Sequence, residues 1–357
     1  MSCRHIIRPY TAADAAGVRI VMDAIYGAKA VQQPVFDWWS FGCPEAVSGF
    51  MVADAAGQVV GIQPMEVLPF ANGDSIRKGG LLTGVAVHPD YRRQGIFSAL
   101  VRGCEQEAWR LGADFVTTMP NERSRPGFLK MGYTDLGRRC FLTHPLNARA
   151  LGRAALPFPV LGSFAGVVAA AAQAVVKPLP RRGAIQVREV RGVDPAIEEV
   201  ERLHANHFPG LRLRRSVAWW HWRYLESPEK QYRLFEARTP GGKLAGFAVS
   251  FAEIRDGLRI AYLMDLSVRG IEMLSDLLLA VFEAARQDAV LAVCAVASAP
   301  GMIRALRRAG FWAVPAWAPV KRFYTVARFN PSLDTRFQAD WRRIGGWYQM
   351  LGDWDNL

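Results

Sequence analysis

The second half of the chain repeats the order of the first about 180 residues later, and such a repeat restricts the architecture before any motif is read. WWSFGCP (Trp38 to Pro44) aligns with WRYLESP (Trp222 to Pro228), and FMVADAAGQVVG aligns with LFEARTPGGKLAG. LLTGVAV aligns with AYLMDLSV, and FLKMGY with LRRAGF. A repeat of this length predicts two related α/β units, and 357 residues with 51% hydrophobic side chains can furnish two cores.

Hydrophobic periodicity gives the content of each unit. HIIR reads as a strand, AADAAGVRIVMDAIYG as a helix with apolar residues at three and four spacing, and VFDWWSF as a short aromatic helix. GFMVADAAGQVVGIQPMEVLPF reads as strands joined by a turn at Ala56 and Gly57, and GLLTGVAV as a further buried strand. A helix is expected from about Gly95 to Leu111, with Ile96, Leu100, Cys104, Ala108 and Leu111 on one face and Gly112 as its C-cap. The strand DFVTT and a helix ending at GFLKMGY close the unit. The expected division is a first domain over 1–147, a basic linker over 148–184, a second domain over 185–330 and a tail over 331–357.

The net charge of +12 is concentrated: Asn121 to Arg182 holds ten Lys/Arg against two acids, a net +8. That stretch attracts anions such as a nucleotide, an acidic glycan or a lipid headgroup. Cys3, Cys43, Cys104, Cys140 and Cys294 form no CxxC pair, so neither a disulfide framework nor a zinc site is expected, and a reducing cytoplasm fits. The start MSCRHIIRPYTAAD has no continuous apolar core and does not read as a signal peptide. LGSFAGVVAAAAQAVV (161 to 176) is shorter than the roughly 20 apolar residues a spanning helix needs. It reads as a linker helix, with peripheral contact at a membrane surface as the second reading.

The chemistry is concentrated in VHPDYRRQGIFSAL, residues 87 to 100, where a strand exits into a helix through two arginines and a glycine. A helix start leaves N–H donors unpaired and carries the positive end of the helix dipole. Gly95 lets a ligand approach the backbone, and the N–H groups from Arg93 through Gln94, Gly95, Ile96 and Phe97 to Ser98 can form a nest for phosphate oxygens.

The run VAVHPDYRRQGIFSALV, followed by Asn121 and GFLKMGY, resembles the GNAT acetyltransferase superfamily over nearly all of residues 5 to 140, and the order of elements resembles tandem-GNAT proteins. Arg92 and Gly95 match the first two positions of the signature Arg/Gln-x-x-Gly-x-Gly/Ala, and Phe97 replaces the small residue at the third. The resemblance implies two tandem GNAT-like domains, each a mixed central sheet flanked by helices. It also implies that the loop holds the pyrophosphate of acetyl-CoA and that Val85, Ala86 and Val87 pair through their backbone with the pantetheine amides. Asn121 falls at the position that contacts the cofactor arm, and Phe128 where many members carry a Tyr general acid.

No general base is evident. Thr83 and Gly84 stand where relatives often carry an acid. Glu66, in PMEVLPF, is the nearest carboxylate in sequence, Thr83 can hold a relaying water, and the terminal carboxylate of Leu357 is a third candidate by resemblance to Eis-type relatives. His88 reads as structural. The second copy, VRGIEMLSD, lacks the RxxGxG/A spacing and is not expected to bind CoA. Asp265 lies mid-strand and needs a partner unless it is functional, and the aromatic run AWWHWRY reads as core. The expected activity is acyl-CoA-dependent N-acyl transfer, most simply of acetyl, to a small-molecule or glycan amine, with no specific nucleic acid and no metal. A Fem-type aminoacyl transferase and a non-catalytic CoA-binding module are the rival readings.

Overall fold

The computed structural model describes residues 5–148, 185–314, 322–333 and 339–353. The basic linker with its Ala-rich segment, Cys3 and the terminal Leu357 lie outside the described residues. Among the described residues no helix is long and apolar enough to cross a membrane, no cluster of His, Cys, Asp or Glu is arranged to hold a metal, and Cys43, Cys104, Cys140 and Cys294 are unpaired thiols.

The first half begins with β1 (Ile6–Pro9), α1 (Ala15–Tyr26), α2 (Gln33–Phe41) and β2 (Val47–Ser48). β3 (Met51–Ala55) and β4 (Gln58–Gln63) form a hairpin whose turn residues Ala56 and Gly57 both have positive φ, 54° and 85°, the left-handed pair that a two-residue hairpin loop demands. β5 (Met65–Asn72), β6 (Ser75–Leu82) and β7 (Ala86–Val87) lead into α3 (Ile96–Arg110), which ends at Gly112 with φ 81°. β8 (Phe115–Thr118), α4 (Arg125–Lys130), β9 (Thr134–Arg138) and β10 (Cys140–Pro145) follow.

The second half runs β11 (Gln186–Val190), α5 (Ile197–His207), β12 (Arg212–Leu213), α6 (Val217–Tyr224), β13 (Arg233–Arg238), β14 (Leu244–Arg255) and β15 (Leu258–Val268). It continues with α7 (Leu274–Gln287), β16 (Ala292–Ala297), α8 (Pro300–Arg308), β17 (Trp312–Ala313) and β18 (Tyr324–Phe329). Each half has one parallel strand pair, β6 with β8 and β15 with β16, as a repeated unit requires.

The sheets do not follow a division at 147 and 330. Their orders are β1-β3-β4-β7, β12-β5-β6-β8-β18-β9, and β11-β13-β14-β15-β16-β10-β17. β10, from the first half, lies between β16 and β17 of the second, and β18, from the second half, lies between β8 and β9 of the first. The halves exchange one interior strand each, and the short β12 of the second half also pairs with β5 at the edge of the first half's sheet. The chain crosses between sheets at Arg139, the one residue between β9 and β10. Sequence periodicity sees a strand but not its partner, so the exchange left no mark in the contiguous boundaries expected above.

A second tie is the segment 347–353. Trp347 is fully buried and sits edge-on to Phe115 and Phe70 of the first half, with centroids at 5.1 and 6.2 Å, and its indole N–H donates to the Trp341 carbonyl at 2.8 Å. Tyr348 turns the other way into the second core, where His204 lies 2.8 Å from its hydroxyl. The Val268 N–H donates to His204 Nδ1, so Nε2 carries the proton and donates to Tyr348. Asp265 is paired: Arg215 lies 2.5 Å away and the Tyr224 hydroxyl donates to it. Arg215 also meets Asp353 at 2.6 Å and Glu201 at 3.8 Å. A Cβ at Gly352 would overlap Tyr224 and Asp265, so the strap passes where only glycine fits. Trp219, Trp220 and Trp222 are buried core side chains, as the spacing of AWWHWRY suggested.

Truncating Trp347 to Ala leaves a cavity between the halves, and a loss of about 3–5 kcal/mol is expected in urea unfolding. A fragment ending at 147 lacks β18, leaving β8 and β9 without their shared neighbour. It is expected to give no cooperative thermal transition, whereas coexpression with residues 148–357 restores one.

Candidate active site

Where β6 and β8 part, the first half opens. Their parallel pairing runs only through Gly79 with Phe115, Gly80 with Val116 and Leu81 with Thr117. Beyond it one chain bends through Thr83, Gly84 (φ 52°) and Val85 into β7, which pairs with β4 instead, while the other continues through Met119 and Pro120 to Asn121. Pro64 separates β4 from β5, which pass into different sheets, and the Gln63 side chain spans the break. Its Nε2 donates to the Thr83 carbonyl at 2.8 Å and to the Pro64 carbonyl at 2.9 Å. The divergence leaves a cleft of about 320 Å³.

β7 is the outer strand of its sheet, so one edge of Ala86 and Val87 pairs with Ile62 and Gly61 and the other edge offers backbone groups. After it, the turn Pro89–Tyr91 is capped by His88, whose Nδ1 accepts from the Asp90 N–H at 3.4 Å, so His88 is structural. Arg93 (φ 63°) and Gly95 (φ 78°) both adopt left-handed backbone on either side of Gln94, curling the loop ahead of α3. The N–H groups of Ile96, Phe97 and Ser98 belong to the first turn of α3 and have no intrahelical acceptor. Arg92, Arg93, Gln94 and Gly95 are exposed, and Arg92 Nε lies 3.4 Å from the Val87 carbonyl. Ile96 is buried in the core, so its contribution here is its backbone N–H.

Phe97 has a structural reason. Its ring stacks edge-on to Phe128 at 5.2 Å and covers Gly127, where a Cβ would lie 2.9 Å from the ring. The large residue in the loop is matched by a glycine on α4. Phe128 is buried and forms part of the cleft wall. Asn121 also lines the cleft, and its Oδ1 accepts from the N–H groups of Arg123 at 3.0 Å and Ser124 at 2.9 Å.

Thr83 lines the cleft and Glu66 does not. Glu66 is 5% exposed, its Oε1 has no hydrogen-bond partner, and Cys43 is its charge-sensing neighbour. Burial pushes its carboxyl up to about 8. A carboxylate in β5 was expected to face the cleft because β5 is adjacent in sequence. The break at Pro64 instead separates β5 from the strand that carries Gln63 into the wall.

The wall holds residues that sequence reasoning missed: Tyr26 at the end of α1, Gln63, Arg139, Arg322, Phe323, Tyr324 and Leu351. Among the described residues, no carboxylate or imidazole lines it. Arg139 is buried over the Phe323 ring at 5.3 Å, and burial pulls its guanidinium down to about 9, leaving it cationic at neutral pH. Arg322 pairs with Glu122 at 3.4 Å. Arg322 to Tyr324 reach the cleft on the exchanged strand, and no local pattern marks them.

The second half has the same divergence, and it is filled. β15 and β16 pair from Ile260 with Ala292 to Leu263 with Ala295, and beyond that point the strap enters. The Ser298 N–H donates to the Gln349 carbonyl at 3.2 Å, the Gln349 N–H donates to Ser298 Oγ at 2.8 Å, and the Tyr348 hydroxyl donates to the Leu266 carbonyl at 3.3 Å. At the following helix start, the Glu272 carboxylate folds back over Gly270, in the place where an anion would approach.

Residues 21–133 match the family model described as Acetyltransferase (GNAT) family. The first half is a GNAT domain. No sequence of a curated protein matches the chain. The fold of the whole is similar to a GCN5-related N-acetyltransferase from Anabaena variabilis, with TM-score 0.65 and 13% identity, covering 91% of this chain and 73% of that one. It is also similar to a probable N-acyltransferase from Enterococcus faecalis, with TM-score 0.63, 11% identity and coverage of 91% and 73%. A tandem GNAT protein from the clavulanic acid biosynthesis pathway aligns with TM-score 0.58 and 17% identity, covering 92% of this chain and 100% of that one. The whole chain therefore shares its fold, helices flanking mixed sheets in two tandem units, with these proteins, and residues 21–133 are the part that matches the GNAT acetyltransferase family.

The GNAT domain's buried Glu66 makes stability depend on pH. With a folded value of about 8 against ~4.3 in an unfolded chain, the native state holds the extra proton between those values, so stability falls as pH rises through that window. Glu66→Gln removes the penalty. Urea midpoints of the wild type and the variant are expected to coincide near pH 4 and to separate in favour of Gln by up to roughly 5 kcal/mol at pH 9.

Proposed function

We propose that the chain transfers an acetyl group from acetyl-CoA to a primary amine by direct attack on the thioester. The observation that carries this reading is the open cleft between β6 and β8, bounded on one side by the free edge of β7 and leading to the curled loop before α3. The pyrophosphate would sit on the N–H groups from Arg93 to Ser98 with Arg92 and Arg93 beside it, where unpaired donors and the helix dipole favour an anion. The pantetheine would lie along Val85, Ala86 and Val87 as an added strand, with Asn121 and Phe128 opposite. Gly84 and Gly95 each face open space where a Cβ would project, which suits a ligand passing close to the backbone.

In the reaction the amine lone pair forms the new C–N bond, the C–S bond breaks, and the sulfur leaves as thiolate while the nitrogen gives its proton to water. A backbone N–H near Val85 is positioned to hold the oxyanion. A thiol of pKa ~8.5 leaves without full protonation, so Phe128 in place of a Tyr is no barrier. The phenols of Tyr324 and Tyr26 are at hand in the wall. An amine of pKa ~10.4 costs roughly 4–5 kcal/mol to deprotonate at neutral pH, and the cations Arg139 and Arg322 lower that cost because like charge disfavours the ammonium. Thr83 is placed to hold the water that takes the proton. The intact pyrophosphate loop disfavours aminoacyl-tRNA as donor.

Thiol release from acetyl-CoA across a panel of amines tests the reading. Gly95→Asp forces a side chain onto left-handed backbone and puts a carboxylate in the phosphate loop, so the Michaelis constant for acetyl-CoA is expected to rise at least tenfold while the cooperative melting transition is kept, lowered by a few degrees at most. CoA binding without thiol release from any amine would identify a binding module instead, and full activity of Gly95→Asp would place the cofactor elsewhere.

A further inference from the structure

We propose that the groove between the β5–β6 hairpin end, α5 and β12 is a second binding site, for a small organic acid whose carboxylate meets Arg212 and whose apolar body lies against Ile76 and Leu213.

The groove holds about 520 Å³ and shares no lining residue with the cleft beside β6 and β8. Its walls come from both halves. The hairpin end supplies Ala71 to Asp74 and Ile76, α5 supplies residues between Glu198 and Asn206, and β12 with its flank supplies Arg212 to Arg215. The pairing of Arg212 with Ala71 and of Leu213 with Phe70 fixes these walls against one another. A site assembled this way leaves no run of neighbouring residues to mark it.

Arg212 carries the recognition. It is 6% exposed, its guanidinium lies over the Tyr348 ring at 4.1 Å, and its Nη2 donates to the Phe208 carbonyl. Nη1 is left buried with no hydrogen-bond partner, and among the described residues no carboxylate pairs with Arg212. The two acids that act on it through space, Glu201 and Asp353, have other partners. Asp353 is held by Arg215 at 2.6 Å and by the Met350 N–H at 2.8 Å, and Glu201 accepts from the Ser267 hydroxyl. A buried donor without an acceptor is costly, and more so on a charged group. A ligand oxygen relieves it, and a carboxylate both fits the planar fork and brings the opposite charge.

The rest of the lining narrows the ligand. The exposed Arg202 and Arg214 are matched in number by Asp74 and Glu198, which suits a single negative charge rather than a phosphate dianion. Ala71, Ile76, Ala205, Pro209 and Leu213 supply apolar surface, and Ile76 is 53% exposed without a ligand. Apolar walls with one polar anchor are the usual make-up of a small-molecule site.

Isothermal titration of the full chain with hexanoate and benzoate, each against its own amide and without acetyl-CoA, tests the site independently of the acyl-transfer reading. At least one acid is expected to bind with a Kd of about 1 mM or tighter, and at least tenfold more tightly than its amide. Arg212→Gln is expected to bring acid and amide within twofold of each other. Ala205→Trp changes no charge and fills the groove from a partly exposed position on α5, so it is expected to weaken the acid at least tenfold with the melting transition kept. Should Arg212→Gln lose its cooperative transition, Ala205→Trp decides alone. Equal binding of acid and amide by the wild type, or acid binding by Ala205→Trp within twofold of the wild type, overturns the proposal.

Discussion

The arrangement rests on the exchange of β10 and β18. Each strand completes the other half's sheet from an interior position, so its hydrogen bonds are made on both edges: β18 with β8 and β9, β10 with β16 and β17. Neither half can leave the other without opening these four ladders and the short β12–β5 pairing, with no compensating surface buried. The core between the halves follows from this. Phe70 and Phe115 of one meet Trp347 of the strap, and the aromatic cluster around Trp220 and Phe247 fills the opposite side.

The same arrangement decides which half keeps an open cleft. The two divergences are geometrically alike, one after Leu81 and Thr117, the other after Leu263 and Ala295. Among the described residues the strap fills the second, satisfying backbone groups there through Ser298 and Gln349, and borders the first through Leu351. Arg215 sets the strap's position by pairing with Asp265 and Asp353 at once, a buried arrangement that is costly to assemble and costlier to break. The second domain has become a mould for the tail and a donor of wall residues to the first.

Much of this was legible in the sequence where the signal is local. The hairpin turn at Ala56 and Gly57, the helix 96–110 with its Gly112 cap, and the loop of Arg92 to Gly95 are written in adjacent residues, because backbone sign and helix period are properties of a few neighbours. The core role of the tryptophans in AWWHWRY was legible for the same reason. Glu66 was misplaced because nearness in sequence was taken for nearness in the cleft, and Pro64 breaks that link. Gln63 was overlooked since a lone Gln at a strand end carries no pattern. Arg139, Arg322 and Tyr324 were out of reach of any reading by spacing, since their place in the cleft depends on strands that pair across nearly 200 residues of chain.

The exchanged strand also sets an order of events in synthesis. β8 and β9 are complete once residue 138 has been added, yet the strand that belongs between them begins at residue 324. At a translation rate of roughly 5–20 residues per second, this sheet waits for the strand between β8 and β9 for about ten to forty seconds. During that interval the facing edges of β8 and β9 stand open, and the loop before α3 can already be formed while residues 322–324 of the cleft wall do not yet exist. The loop side of the cleft therefore exists before the wall that β18 brings in the life of every molecule, and the open edges of β8 and β9 have to stay apart from other chains until residue 329 arrives.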